Sequence, residues 1–228
     1  MENKNNIETY QQDFNNFLKQ LKDQINEKLN TILQENDKKY KNVIIIALSG
    51  KRYSGKDYIC QQIKQNLMQD NELQQYIQVE RKSISDICKL KYAQKFKISY
   101  KDLISNREFK EKHRKNLIQF FQENNSSNKN LFLSNLLSEI QEDVYDCSKN
   151  IQVHILTDIR RIDEFQFIEN YKLDDCKNKI IKVRIETNNE CRYSRGWQFD
   201  EKIDTGYTET ELDLYNKFDF IIQNNVIV

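Results

Sequence analysis

Proline is absent from these 228 residues, and glycine occurs only four times. Asn, Gln, Lys and Ile are abundant instead, which reads as coding bias rather than as a mark of function. The same scarcity weakens Gly and Pro as loop markers, but it makes each glycine informative. No run of about 18 apolar residues is present, so no membrane-spanning helix is expected. The start, Met1-Glu2-Asn3-Lys4-Asn5, lacks the apolar stretch of a secretory signal. The final residues, Asn225 to Val228, match neither a lipidation box nor a peroxisomal tripeptide. A soluble, cytoplasmic protein is the expectation. Charge of one sign is also missing: 36 basic and 35 acidic residues leave +1. A general nucleic-acid binder normally carries a clear basic excess. Five cysteines (Cys60, Cys88, Cys147, Cys176 and Cys191) show no Cys-x-x-Cys spacing, so neither a zinc site nor a redox pair is suggested. Only two histidines occur. His154 alternates within an apolar strand and reads as structural. His113 reads as a surface histidine, with a face toward a substrate as the alternative.

What is present is a periodic order of elements. Residues 5–36 repeat Ile7, Tyr10, Phe14, Phe17, Leu18, Leu21, Ile25, Leu29, Ile32 and Leu33 at three- and four-residue steps, the pattern of an amphipathic helix. Its polar face carries acids as well as lysines, so packing on protein is favoured over a membrane surface. The continuous run Val43–Leu48 suits a parallel strand buried on both faces. Further strands are expected over Ile77–Glu80, Ile151–Leu156, Ile180–Ile185 and Phe218–Ile222. Helical patterns fill 57–69, 85–96, 107–123, 129–145 and 162–171. This alternation predicts an α/β fold with a five-stranded parallel sheet between helical layers. The expected organisation is an N-terminal helical extension, residues 1–40, and an α/β domain, residues 41–228.

The first strand is followed by Gly50-Lys51-Arg52-Tyr53-Ser54-Gly55-Lys56-Asp57. The skeleton G-x-x-x-x-G-K, after a buried strand and before a helix, is that of a P-loop. Its amides and the helix N-terminus would surround a phosphate, and Lys56 would reach the β- and γ-phosphates. Asp57 stands where Ser or Thr usually serves magnesium. A carboxylate there suggests metal binding, although an acid in a first helical turn is also favoured by the helix dipole. Asp158 ends the strand Ile155-Leu156-Thr157-Asp158, a place suited to a second carboxylate for Mg²⁺. A plain strand-end turn residue is the alternative. Arg160-Arg161 follows at the sheet edge where α/β proteins bind ligands.

The loop with its Asp57 resembles the signature of animal-type phosphomevalonate kinases. Further segments match in order: Lys89-x-x-Tyr92-Ala93-Gln94, Lys110-Glu111-x-x-Arg114-Lys115, Asp158-Ile159-Arg160-Arg161 and Arg192-x-x-Arg195-Gly196-Trp197-x-Phe199. The run Thr208–Asp213 is similar to the family's acidic turn. The resemblance covers roughly residues 42–225. It implies a fold like that of nucleoside monophosphate kinases, with a lid over about 187–207. It implies transfer of the ATP γ-phosphate to 5-phosphomevalonate, with Mg²⁺ as cofactor, in isoprenoid and sterol biosynthesis.

Carried over by segment, Gly50 to Asp57 with Arg192 and Arg195 would bind ATP. Lys89, Lys110, Arg114, Arg160, Arg161 and Arg184 would bind phosphomevalonate. Lys56, Arg160, Arg161 and Arg195 would act in catalysis, and Gly196 and Gly206 would flank a closing lid. Tyr53 stands where the family commonly has a lysine, and no arginine occurs around Leu131–Ser134. Relatives continue into a terminal helix, and the N-terminal helix is expected to cover that surface. Two other readings stay open: a kinase of the same fold acting on a nucleoside monophosphate, and a nucleotide-binding module without turnover. A monomer working on small molecules, with neither nucleic acid nor membrane, is expected.

Overall fold

The structure is a computed structural model that describes residues 2–35 and 41–226. In chain order the helices are α1 (Glu2–Glu35), α2 (Lys56–Met68), α3 (Ile84–Phe96), α4 (Tyr100–Ser105), α5 (Arg107–Ser127), α6 (Leu131–Asp146), α7 (Ile162–Asn170), α8 (Asn189–Ser194), α9 (Glu201–Asp204) and α10 (Tyr207–Thr210). The strands are β1 (Lys41–Ser49), β2 (Ile77–Lys82), β3 (Ile151–Ile159), β4 (Cys176–Glu186) and β5 (Phe220–Gln223). The chain forms two compact units, Met1–Arg81 with Val144–Val228, and Lys82–Asp143.

The first unit holds the sheet, in the order β2-β3-β1-β4-β5, all strands parallel, with helices on both sides. β1 lies at its centre, paired with β3 and β4. From Asn42 to Ser49 every residue of β1 is buried, which its unbroken apolar run requires. All of β3 except Asp158 is buried. β4 begins four residues earlier than hydrophobicity suggests. Its first residues, Cys176–Lys179, are polar or partly exposed yet pair with Lys41–Ile44. β5 starts at Phe220 rather than Phe218.

α1 presents Phe14, Phe17, Leu18, Leu21, Ile25 and Leu29 to the same core as the sheet. Burying such side chains is worth about 1.5–3 kcal/mol each relative to exposure, so this face fixes the helix. Leu33, although in phase, is exposed. The Phe17 and Phe220 rings meet edge to face at 5.1 Å. Asp13 accepts the Gln223 N–H at 3.1 Å, satisfying a donor on the last strand of the sheet. Lys22 pairs with Asp70 at 2.7 Å and ties α1 to the end of α2.

The second unit is helical. Tyr92 is buried among Phe96, His113 and Phe120. Its hydroxyl lies 3.0 Å from His113 Nδ1. His113 also packs on Phe109, so it is a packed residue rather than a free surface histidine.

Candidate active site

The turn after β1 is built by two glycines. A Cβ on Gly50 would come within 2.7 Å of both the Ile185 carbonyl and Ser54 Oγ. Gly55 sits at φ 89°, a left-handed conformation, and a Cβ there would strike the Asn224 amide. Larger residues are therefore excluded at both positions. Asn224 Nδ2 and Thr187 Oγ1 donate to the Ser54 carbonyl at 2.8 and 3.0 Å and pin the loop from the ends of β5 and β4. Ser54 Oγ is buried with no hydrogen-bond partner. An orphaned hydroxyl in a glycine-flanked loop that opens a helix fits an anion-binding cradle.

Lys56 opens α2 and folds back across the loop. Its ammonium donates to the Gly50 and Lys51 carbonyls at 2.7 and 2.9 Å. Removal from water, with Arg160 nearby, pulls its pKa from 10.5 down to about 7; Glu209, Asp57 and Asp158 oppose that shift. Both carboxylates expected to serve a metal thus act on the P-loop lysine. Asp57 itself is 82% exposed, with Arg81 3.5 Å away. Among the described residues no group of three or more His, Cys, Asp or Glu forms a metal cage. Mg²⁺ does not need one, since it commonly takes one or two carboxylates together with phosphate oxygens and water. The residues present fit such an ion.

Arginines converge on this loop from three directions. Arg160, beyond the end of β3, pairs through Nη1 with Glu209. Arg184, near the end of β4, donates to Asp213 Oδ1 at 3.0 Å. Burial pushes its pKa below the ordinary guanidinium value, against the pull of Asp213. Arg192 and Arg195 come from α8 and the residue after it. Arg192 donates to the Arg52 carbonyl at 2.9 Å and lies 3.6 Å over the Trp197 ring. Arg195 donates to the Tyr53 carbonyl at 3.2 Å and to the Asn224 and Val226 carbonyls at 2.8 and 2.9 Å. It therefore clamps the loop to the chain after β5. Arg161 turns the other way. It caps α7, donating to Glu164 at 3.0 Å and Asp163 at 3.3 Å. Glu164 in turn accepts from the Arg160 and Arg161 amides.

Sequence reasoning missed the acids that hold these cations. Glu209 also accepts the Arg52 N–H at 3.0 Å. Asp213 also accepts from Lys51 at 2.6 Å. Asp204 binds Arg52 at 3.3 Å and the Trp197 indole N–H at 3.1 Å. The signal was available: Thr208–Asp213 sets three acids in a six-residue run, in a chain whose proposed site is rich in arginine. Between Lys51, Ser54, Arg184, Thr187, Asn188 and Arg192 lies an open cavity of about 440 Å³, a volume suited to a small-molecule ligand.

Lys89, Lys110 and Arg114 belong to the second unit. There Lys89 donates to Asp86 at 2.7 Å. Arg114 grips Glu111 through two bonds of 2.6 and 2.5 Å. Lys110 lies in the first turn of α5, its amide bonded to the Asn106 carbonyl.

Comparison with known proteins agrees with this geometry. The family model described as phosphomevalonate kinase matches residues 48–174. That span runs from the end of β1 through the P-loop, the second unit and the Arg160 region. The chain is 28% identical over 184 residues to the phosphomevalonate kinase of Drosophila melanogaster, covering 79% of this chain and 88% of the relative. The chain belongs to the phosphomevalonate kinase family.

Proposed function

We propose that this protein transfers the γ-phosphate of ATP to 5-phosphomevalonate, giving 5-diphosphomevalonate and ADP, in the mevalonate pathway. One observation carries the mechanism: a P-loop whose lysine is already drawn over the loop, with Arg160, Arg184 and Arg192 held around it by carboxylates. The reading extends to a monomeric, cytoplasmic enzyme that works on small molecules. No described helix is long and apolar enough to cross a membrane.

The chemistry explains the residue types. Donor and acceptor are both polyanions, and their approach costs Coulomb energy that grows as water is excluded. Cations must offset it, and the guanidinium fork suits phosphate oxygens. The attacking atom is a phosphate oxygen whose second pKa is about 6, so it is largely ionised at pH 7 and no general base is required. That agrees with a site in which His154 is buried against Gln152 and takes no part. Rate enhancement then rests on positioning and charge neutralisation.

In this reading the P-loop amides other than that of Arg52, which Glu209 holds, bind the donor phosphates. Lys56 exchanges its two carbonyl partners for phosphate oxygens. Arg160 spans donor and acceptor, and Arg161 joins it on leaving its α7 cap. Arg184 in the first unit, and separately Lys89, Lys110 and Arg114 in the second, are the candidate ligands of the acceptor. Arg192 and Arg195 couple the lid to the loop, so that closure and phosphate binding assist each other. Asp57 and Asp158 would hold Mg²⁺, which when bound supplies further neutralisation of the phosphate charge.

The rival reading, a nucleoside monophosphate acceptor, is separated by an acceptor panel. With Mg-ATP, ADP release should depend on 5-phosphomevalonate and exceed that with any nucleoside monophosphate by at least about 100-fold in kcat/KM, since a site built to hydrogen-bond one acceptor strongly rejects another. Faster turnover with a nucleotide would transfer the assignment to the rival.

A further inference from the structure

The mechanism treats the carboxylates only as partners of the arginines, yet Glu209 bonds both an arginine and the P-loop backbone. It lies on α10 with only 7% of its side chain exposed. One oxygen accepts the Arg52 amide of the P-loop, and the other accepts from Arg160 Nη1. Its charge also reaches Lys56. A carboxylate in a phosphate site repels the substrate, so its presence needs a compensating use. Asp213 shows the contrast. It too joins a P-loop residue to an arginine, but it is 34% exposed and its partner Lys51 is 36% exposed, so solvent or ligand can displace it. Glu209 is enclosed, and removing one member of such a pair strands the other.

Resting on the kinase reading, we infer that Glu209 is a positioning residue for the transfer: it fixes Arg160 at a set distance from the P-loop backbone. Arg160 follows β3 and projects from a connection rather than from a strand. A free arginine there would sample several rotamers. One carboxylate bridging its guanidinium and a loop amide removes that freedom. The fork has five donors, so bonding Nη1 to Glu209 leaves others for phosphate. The donor cradle and the arginine that spans to the acceptor then move as one body. A misplacement of about 1 Å can lower such a rate about 100-fold.

The test is a double-mutant cycle with Glu209→Gln, Arg160→Gln and the double variant. Gln keeps the volume and an acceptor for the Arg52 amide but loses the charge that holds Arg160. Glu209→Gln should lower kcat about 10- to 100-fold and shift the KM for ATP less than about 3-fold, with Tm within a few degrees of wild type. In the Arg160→Gln background the same change should cost less than about 3-fold, because no guanidinium remains to be positioned. Glu209→Asp, with its charge kept, should recover part of the rate. If Glu209→Gln does not fold, Glu209→Asp against Arg160→Lys forms the equivalent cycle. An unchanged kcat, or the same loss with and without Arg160, would overturn the proposal. The wild-type rate on phosphomevalonate tests the function separately, and the cycle is read on whichever phosphorylated acceptor turns over.

Discussion

The site cations Lys51 and Arg160 of the first unit are held differently from Lys89 and Arg114 of the second. In the first unit, Lys51 pairs with an acid 162 residues away, and Arg160 with one 49 residues away. Those partners meet only when the sheet and the turn before β5 are in place. In the second unit, Lys89 and Arg114 each pair with an acid three residues earlier on the same helix. A local pair needs only a helix and contributes about 0.2–0.5 kcal/mol. Where such a long-range pair is enclosed, as Glu209 is beside Arg160 and Asp213 is not beside Lys51, it holds a charge in a fixed place, at a desolvation cost that the whole fold must offset. The first arrangement suits groups that stabilise a transferring phosphoryl, where small displacements are expensive. The second suits groups that exchange a neighbour for an arriving substrate.

That difference can be sharpened by titration. Lys56, held at about pKa 7 chiefly by desolvation, is mostly neutral at pH 8. An anion bound against its ammonium should restore the charge. ADP binding at pH 8 should therefore take up close to one proton, read by calorimetry in buffers of different ionisation enthalpy. The uptake from this group should fade as the pH approaches 6 and vanish in Lys56→Met. Without ligand the sign for stability follows. Between the folded pKa near 7 and the unfolded 10.5 the unfolded chain binds more protons, so this group adds stability as pH rises through that window. Uptake of less than about 0.2 proton at pH 8 would show that the ammonium is charged before ligand arrives.

The smallest effect is expected in the second unit. Its Glu111 lies well below the usual carboxylate pKa because Arg114 hydrogen-bonds it. The pair is nevertheless partly exposed and local to one helix, so Glu111→Gln should cost no more than about 0.5 kcal/mol in denaturant unfolding. With this pair removed, the KM for the acceptor should fall or stay unchanged. A loss above about 2 kcal/mol would mean that local pairs carry the architecture after all, and the contrast between the units would collapse.

Much of this was legible in the chain itself. The run Val43–Leu48 reads as a strand buried on both faces because nothing in it can face water. The loop reads as a phosphate cradle because Gly50 and Gly55 stand where backbones must approach. Three things were not legible. The first residues of β4 are polar at the sheet's end, so hydrophobicity marks only Ile180 onward. Leu33 keeps the helical phase but lies beyond the surface that α1 covers. The partners of Arg160, Arg184 and Arg192 were hidden because pairing across 29 to 49 residues, or between positions 192 and 204, is decided by tertiary structure. Arg161 shows the same limit: although it adjoins Arg160 in sequence, its side chain bonds Glu164 and Asp163 of α7.

The most direct test of the central claim is phosphomevalonate-dependent ADP release by the wild-type chain and by Lys56→Met. Loss of an interaction made chiefly in the transition state should lower kcat at least about 100-fold, with the fold and Tm preserved. Release by wild type that collapses in the variant is the predicted result. Equal rates in the two proteins, or no release by wild type while ADP still binds, would contradict it.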